Sequence, residues 1–342
     1  MRLQAAVLSN AGRVREKNED NFYYNGEFMP AMNQGTEAHQ TWVPLENPAL
    51  FGVFDGMGGY AAGERASYMT ADAADRLWKA WDRTGTPAEL MERICMEANS
   101  VVCDAMEAEH GRRMGSTASM LMFDETQYHL CNIGDSPIFL LRDGKLWEIS
   151  MEHTERWTFE KVTGQKAPEK KKFRLTQNIG IFEDEMAIEP YCTSGPIQKG
   201  DVFLICSDGI TDMLDREQVQ EILSKPMPTQ AMIQQLLDGA LAAGGKDNIT
   251  AICLRVCLDA MPEAPVPTRA PSQAPAQKKP VKKRRFGLIF GGILAVAAVA
   301  GGALLLMKNK PVDNNLVRDI VEDAQVVGAD DMDADSLILN VD

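Results

Sequence analysis

Short apolar runs recur through the first three quarters of the chain, and turn residues bound most of them. LQAAVLS, LFGVFD, STASMLMF, YHLCNIGD, PIFLLRDGKLWEI, DVFLICSD and ITAICLRVCL each predict a β-strand. Several are too apolar to alternate, which is the pattern of strands covered on both faces. Between them the apolar period changes. Ala61–Trp81, Pro87–Glu109, Asp215–Leu223 and Gln230–Ala243 place apolar residues three and four apart and predict amphipathic helices. The strands cluster without regular strand–helix alternation, so the pattern favours layered α+β with antiparallel sheets over a doubly wound parallel sheet. Asp143-Gly144, within LLRDGKLWEI, marks a tight hairpin.

The pattern breaks after Leu258, which makes residues 1–258 one globular unit. Residues 259–285 run from a Pro/Ala-rich stretch, MPEAPVPTRAPSQAPAQ, into the basic block KKPVKKRRF, and are expected to be an extended linker. Phe286–Met307 carries no charge over about 22 residues. At ~1.5 Å per residue such a helix spans the ~30 Å core of a bilayer. Six Lys/Arg precede it, against Lys308 and Lys310 behind it, so the positive-inside rule keeps residues 1–258 cytoplasmic and puts the tail, 308–342, outside. The basic block also suits contact with anionic lipid. The tail is short and acidic. Gly287 and Gly291, with small residues continuing at that spacing, would allow weak helix–helix pairing in the membrane. The first residues contain no apolar core long enough for a signal peptide, which agrees with a cytoplasmic domain.

Composition narrows the classes. The formal net charge of −14 over 342 residues argues against a nucleic-acid binder, which would show a basic face. Seven cysteines lie mostly inside apolar runs, with no CxxC pair and no histidine at zinc-ligand spacing, and read as reduced core residues.

The acids carry the chemistry. The apolar run Phe51–Phe54 stops at Asp55, and glycines follow at once. YHLCNIGDS reaches Asp135, DVFLICSDGITD reaches Asp208 and Asp212, Asp247 precedes ITAICL, and Glu19 and Asp20 precede another strand-like run. A single acid at a strand end is ordinarily a turn residue. Repeated at several strand ends, carboxylates gathered together would repel one another and raise each other's pKa values. A hard divalent cation such as Mg²⁺ or Mn²⁺ removes that cost, since it takes carboxylate, carbonyl and water oxygens. Gly56, with no Cβ, allows a backbone carbonyl close enough to be one of them.

GRVREKNEDNF, FDGMGG…AAGERAS, GSTA, NIGDSPIFLLRDGKL, LICSDGITDML and GKDNITAI occur in that order. With these motifs the chain resembles the metal-dependent type 2C serine/threonine protein phosphatases, above all their bacterial members, through nearly all of residues 1–258. The resemblance implies a four-layer αββα sandwich of two antiparallel sheets flanked by helices, here followed by the C-terminal transmembrane helix. It implies two Mn²⁺ or Mg²⁺ ions in a cleft at one edge of the sandwich. Asp55 resembles the carboxylate bridging both, Gly56 the carbonyl ligand of one, and Asp208 and Asp247 ligands of the other. Glu19 and Asp20 would act directly or through water. Asp135, Asp208 and Asp212 resemble a weaker third metal site. Arg15 resembles the phosphate clamp, its planar fork suiting two phosphate oxygens. The expected reaction is hydrolysis of phosphoserine and phosphothreonine in proteins by an activated water.

Met57 stands where many eukaryotic members have a histidine, as in bacterial members. His153 is a candidate acid with packing as the alternative, and Ser116 and Cys206 read as structural. The family's variable flap corresponds to roughly Thr154–Asp184, whose lysines could attract acidic or phosphorylated substrates. The implied partners are phosphoproteins and a membrane-anchored serine/threonine kinase that the phosphatase would oppose. The competing reading is a membrane-tethered pseudophosphatase that binds phosphoproteins without turnover. It requires a lost metal position, and every one is filled by an acid or Gly56.

Overall fold

Strand β1 (Arg2–Asn10) is buried along almost its whole length. Leu3, Ala5 and Val7 join one apolar cluster, whereas Ala6 and Leu8 join another. Successive side chains of a strand point to opposite faces, so a strand apolar throughout needs cover on both.

The computed structural model describes residues 1–58, 62–110, 112–167 and 173–257. After β1 come β2 (Asn21–Tyr24), β3 (Gly35–Pro44), β4 (Ala49–Phe54) and β5 (Gly56–Met57), then two long helices, α1 (Gly63–Ala80) and α2 (Pro87–Ala108). Next are β6 (Gly115–Ser116), β7 (Ala118–Phe123), β8 (Gln127–Ile133) and the hairpin of β9 (Ile138–Arg142) and β10 (Lys145–Glu148). α3 (Glu155–Thr163), β11 (Tyr191–Pro196), β12 (Val202–Cys206) and the single turn α4 (Asp208–Thr211) lead to α5 (Arg216–Ser224), α6 (Thr229–Ala242) and β13 (Ile249–Cys257).

Two antiparallel sheets form the centre. One has the order β10-β9-β12-β13-β1-β3, the other β11-β8-β7-β4-β2, and a two-stranded piece pairs β5 with β6. Val7, Ile252 and Phe203 from the first sheet meet Phe51 and Phe123 from the second in one apolar cluster. Phe123 and Phe203 join the sheets edge to face with ring centroids 5.1 Å apart. Ala66, Ala74 and Ile94 of α1 and α2 cover Met120 and Cys131 on the outside of the second sheet. Val219, Met232 and Leu236 of α5 and α6 cover Leu204, Ala251 and Cys253 on the outside of the first. The layers are therefore αββα.

The helices lie where periodicity placed them, with ends shifted by one or two residues. α1 begins at Gly63. α2 begins at a capping box, with Thr86 accepting from the Glu89 N–H and Glu89 accepting from the Thr86 N–H. Elements not anticipated include β3, β11 and α3. β3 and β11 are edge strands, and their sequences, GTEAHQTWVP and YCTSGP, are polar or carry Gly and Pro. α3 lies inside the segment expected to be the flap and buries none of its residues. The linker, the apolar span and the acidic tail expected beyond residue 258 lie outside the described residues. Among the described residues no helix is long and apolar enough to cross a membrane.

Candidate metal and phosphate site

Strand register brings the acids to one end of the sandwich. Asn21 of β2 faces Phe54 of β4, so Asp20 and Asp55 adjoin their strands side by side. Ala118 of β7 faces Ile133 of β8, which places Asp135 beyond the same end. Cys206 of β12 faces Ala251 of β13, so Asp208 leaves one strand where Asp247 approaches the other. Asn10 of β1 faces Ile249, which turns the loop carrying Arg15 and Glu19 toward that end too.

Local hydrogen bonds fix these acids. The Asp55 N–H donates to Thr117 Oγ1 at 3.0 Å, and the Thr117 N–H donates to the Asp55 carbonyl at 2.9 Å. Asn248 Oδ1 accepts from the Glu19 N–H at 2.8 Å, while its amide nitrogen donates to the carbonyls of Ala11 and Lys17 at 3.0 and 2.8 Å. Ser67 donates to the Glu19 carbonyl at 2.6 Å. Ser207 donates to Asp20 Oδ2 at 2.7 Å. At Gly56 a Cβ would sit 2.2 Å from the Gly63 carbonyl oxygen and 2.3 Å from that of Glu19. Only glycine admits the backbone there.

Charge is strongly one-sided. Burial pushes Asp20 up to about 7, although Ser207 opposes the shift. Burial, then Asp135 and Asp212, pushes Asp208 up to about 8. Burial, with Glu152 and Asp212 behind it, pushes Asp135 up to about 6. Asp55 lies well above the usual carboxylate range, first through burial and then through Asp20, Asp208, Asp135 and Asp247. Glu19 and Asp212 shift upward for the same first reason. Arg15 lies at the mouth, half exposed, with Nη2 2.7 Å from Asp247 Oδ2.

These donors fit hard divalent cations. They are carboxylates and a close backbone carbonyl, and they lack positive charge enough to neutralise them. No three His, Cys, Asp or Glu side chains among the described residues close into a ready cage. Mg²⁺-like ions take one or two carboxylates and keep several waters.

The other candidates fall outside this chemistry. His153 is buried, its Nδ1 is 3.1 Å from the Gly134 nitrogen, and burial lowers its pKa. It is a packed histidine. Ser116 donates to the Thr117 carbonyl at 2.8 Å and is buried. Burial pushes the Cys206 thiol far up. Met57 pairs with Gly115 next to the acids. Within the flap segment, Thr154 bridges to Leu175, and Ile179 bridges to Ser116. Part of its lysine run, residues 168–172, lies outside the described residues.

Sequence reading missed Glu64, Lys17, Ser207 and Asn248 as parts of this site. Lys17 Nζ donates to Glu64 Oε1 at 2.9 Å. All four lie inside the quoted motifs, but what each holds depends on partners far along the chain.

Comparison with known proteins agrees with the geometry. Residues 36–250 match the family model described as Protein phosphatase 2C. The serine/threonine protein phosphatase PstP of Mycobacterium tuberculosis is 29% identical over 257 residues, which are 73% of this chain but 44% of that protein. The chain thus spans less than half the length of that relative. The serine/threonine phosphatase stp of Listeria monocytogenes is 27% identical over 260 residues, covering 73% of this chain and 94% of the other. A crystal structure of the PstP catalytic domain in complex with two manganese ions superposes with a TM-score of 0.60 at 30% identity, covering 75% of this chain and 99% of that one. The match to the family model takes in well over half of the sequence, including β4, β7, β8 and β12 with Asp55, Asp135, Asp208, Asp212 and Asp247, and the chain belongs to the protein phosphatase 2C family.

Proposed function

We propose that this chain hydrolyses phosphoserine and phosphothreonine in proteins with the help of two divalent cations, Mn²⁺ or Mg²⁺. The observation that carries this is the gathering of Glu19, Asp20, Asp55, Asp135, Asp208, Asp212 and Asp247 at one sandwich end, with Arg15 at its mouth. Asp55 interacts with Asp20, Asp208, Asp135 and Asp247, and Gly56 packs against the Glu19 backbone, which supports a bridging role for Asp55 and a carbonyl ligand at Gly56. Asp135 and Asp212, beside Asp208, offer a weaker third position. Bound there, the cations would acidify a water for in-line attack on phosphorus and offset charge on the phosphoryl oxygens.

The chain's own residues do the rest. Asp247 holds one amino group of Arg15, which positions the guanidinium fork for phosphate. Thr117 and Ser207 orient Asp55 and Asp20. His153 is buried and burial lowers its pKa, which argues against it as the acid for the leaving oxygen. Turnover of a phosphothreonine peptide is expected to require Mn²⁺ or Mg²⁺. Hydrolysis at full rate in excess chelator would defeat this reading.

The sequence supports a setting as well. For this setting we propose that residues 286–307, which carry no charge, cross a membrane behind the basic block, with the catalytic domain in the cytoplasm and the tail outside. Such a phosphatase would oppose a membrane-anchored serine/threonine kinase. Protease added to spheroplasts is expected to remove a C-terminal tag and spare an N-terminal one; the reverse result would invert the topology.

A further inference from the structure

Glu64 opens α1 and is only 7% exposed. One of its carboxylate oxygens accepts from Lys17 Nζ at 2.9 Å. The other, Oε2, is buried and meets no hydrogen-bond donor. Its acidic neighbour is Glu19, whose pKa burial and then the Glu64 charge push up, while, against burial, Lys17 and the contact with Glu19 hold Glu64 below the usual value. A Cβ on Gly63 would lie 2.8 Å from the Gly56 carbonyl oxygen and 2.9 Å from Cδ of Glu19. Gly63, immediately before Glu64, thus packs closely against both the Gly56 carbonyl and the Glu19 side chain, with Asp55 one residue before Gly56.

A buried carboxylate oxygen without a donor is costly, because it has given up water for nothing. Two neighbouring carboxylates add repulsion. A hydrated divalent cation answers both needs. Its charge offsets the acids and its waters supply the missing donors. Lys17 Nζ reaches only the opposite oxygen of Glu64.

Resting on the functional reading above, we propose that Glu64 is an outer-sphere carboxylate of the cation site at Gly56. Its unpartnered oxygen, together with Glu19, accepts hydrogen bonds from water carried by a divalent cation held at the Asp55 carboxylate and the Gly56 carbonyl. Glu64 is a positioning residue, and Lys17 engages only its other oxygen. The simpler role, a salt bridge that only pins the loop, makes a different forecast for Lys17.

The test is calorimetric titration of the full-length chain with Mn²⁺ alone, without substrate. Loss of an outer-shell partner typically weakens metal affinity about 10–100-fold, so Glu64→Gln is expected to weaken Mn²⁺ binding by about tenfold or more. Lys17→Met keeps the carboxylate and removes a competing positive charge, so it should leave Mn²⁺ binding unchanged or tighter. If Glu64→Gln does not fold, Glu64→Asp replaces it; the shorter side chain draws the oxygen back and should show the same loss. Unchanged Mn²⁺ affinity in the Glu64 variant overturns the proposal, as does an equal loss in Lys17→Met. A wild-type chain that binds no Mn²⁺ overturns the functional reading itself.

Discussion

Gly56 and Asp55 divide the work of the site between shape and charge. Gly56 is required because two carbonyl oxygens stand within 2.3 Å of any Cβ placed there. Asp55 is required because its carboxylate faces four other aspartates. These needs separate experimentally. Asp55→Asn removes charge and almost no volume, so the domain should fold and bind metal poorly, with turnover down at least tenfold, or about 1.4 kcal/mol of barrier. Arg15→Ala, at the exposed mouth, should lower kcat/KM for phosphopeptides while Mn²⁺ affinity stays close to wild type. Metal titrations and peptide kinetics on the two variants check the contrast. Equal Mn²⁺ affinity in Asp55→Asn and wild type, or an unchanged kcat/KM in Arg15→Ala, would remove the assigned role. The motifs named both residues. They did not reveal that Arg15 is held by Asp247, which lies 232 residues away.

The two long helices start in different ways, and the difference tracks their jobs. α2 starts at a complete capping box, Thr86 with Glu89, on the exposed surface. α1 has no side-chain cap. Its first turn instead lies against Gly56 and Glu19, where local helix signals give way to the needs of the cleft. Thr86→Ala is therefore expected to lower stability by about 1 kcal/mol, seen as a lower urea midpoint, with kcat/KM unchanged. A loss of activity at native stability would contradict a purely structural cap. The central strands were legible because burial on both faces demands unbroken apolar runs. β3 was not, since an edge strand is half solvated and its order comes from pairing with β1. α3, with no buried residue, shows equally little apolar period.

At the scale of the whole molecule, gathering acids makes stability depend on pH. In the metal-free protein Asp20, Asp135 and Asp208 are pushed up to about 7, 6 and 8. Unfolded, they return to the ordinary aspartate value of about 3.9. Between those values the folded state binds more protons, so its stability falls as pH rises. Their stabilising contribution is full below about 3.9 and lost through the folded-state values. His153 has a lowered pKa and acts with the opposite sign, but only below the ordinary histidine value of about 6.5. Between about pH 6.5 and 8.5 the acids dominate this comparison. Melting temperature in chelator is expected to fall across that window, and saturating Mn²⁺ should flatten the slope by replacing the protons. A rising melting temperature in chelator would contradict this.

What the sequence determined by itself is the alphabet of the fold: which runs are strands, which are helices, and that acids and glycines stand at strand ends. Periodicity and turn chemistry act over a few residues, so they can be read along the chain. The tertiary structure decided the rest. Antiparallel register turned strand ends far apart in sequence into one cleft. Burial there pushed Asp20, Asp55 and Asp208 far from their ordinary pKa values. Lys17 met Glu64, and Asn248 tied down the loop carrying Glu19. Register is set by long-range pairing and desolvation by all the layers together, and neither leaves a mark on any single stretch of sequence.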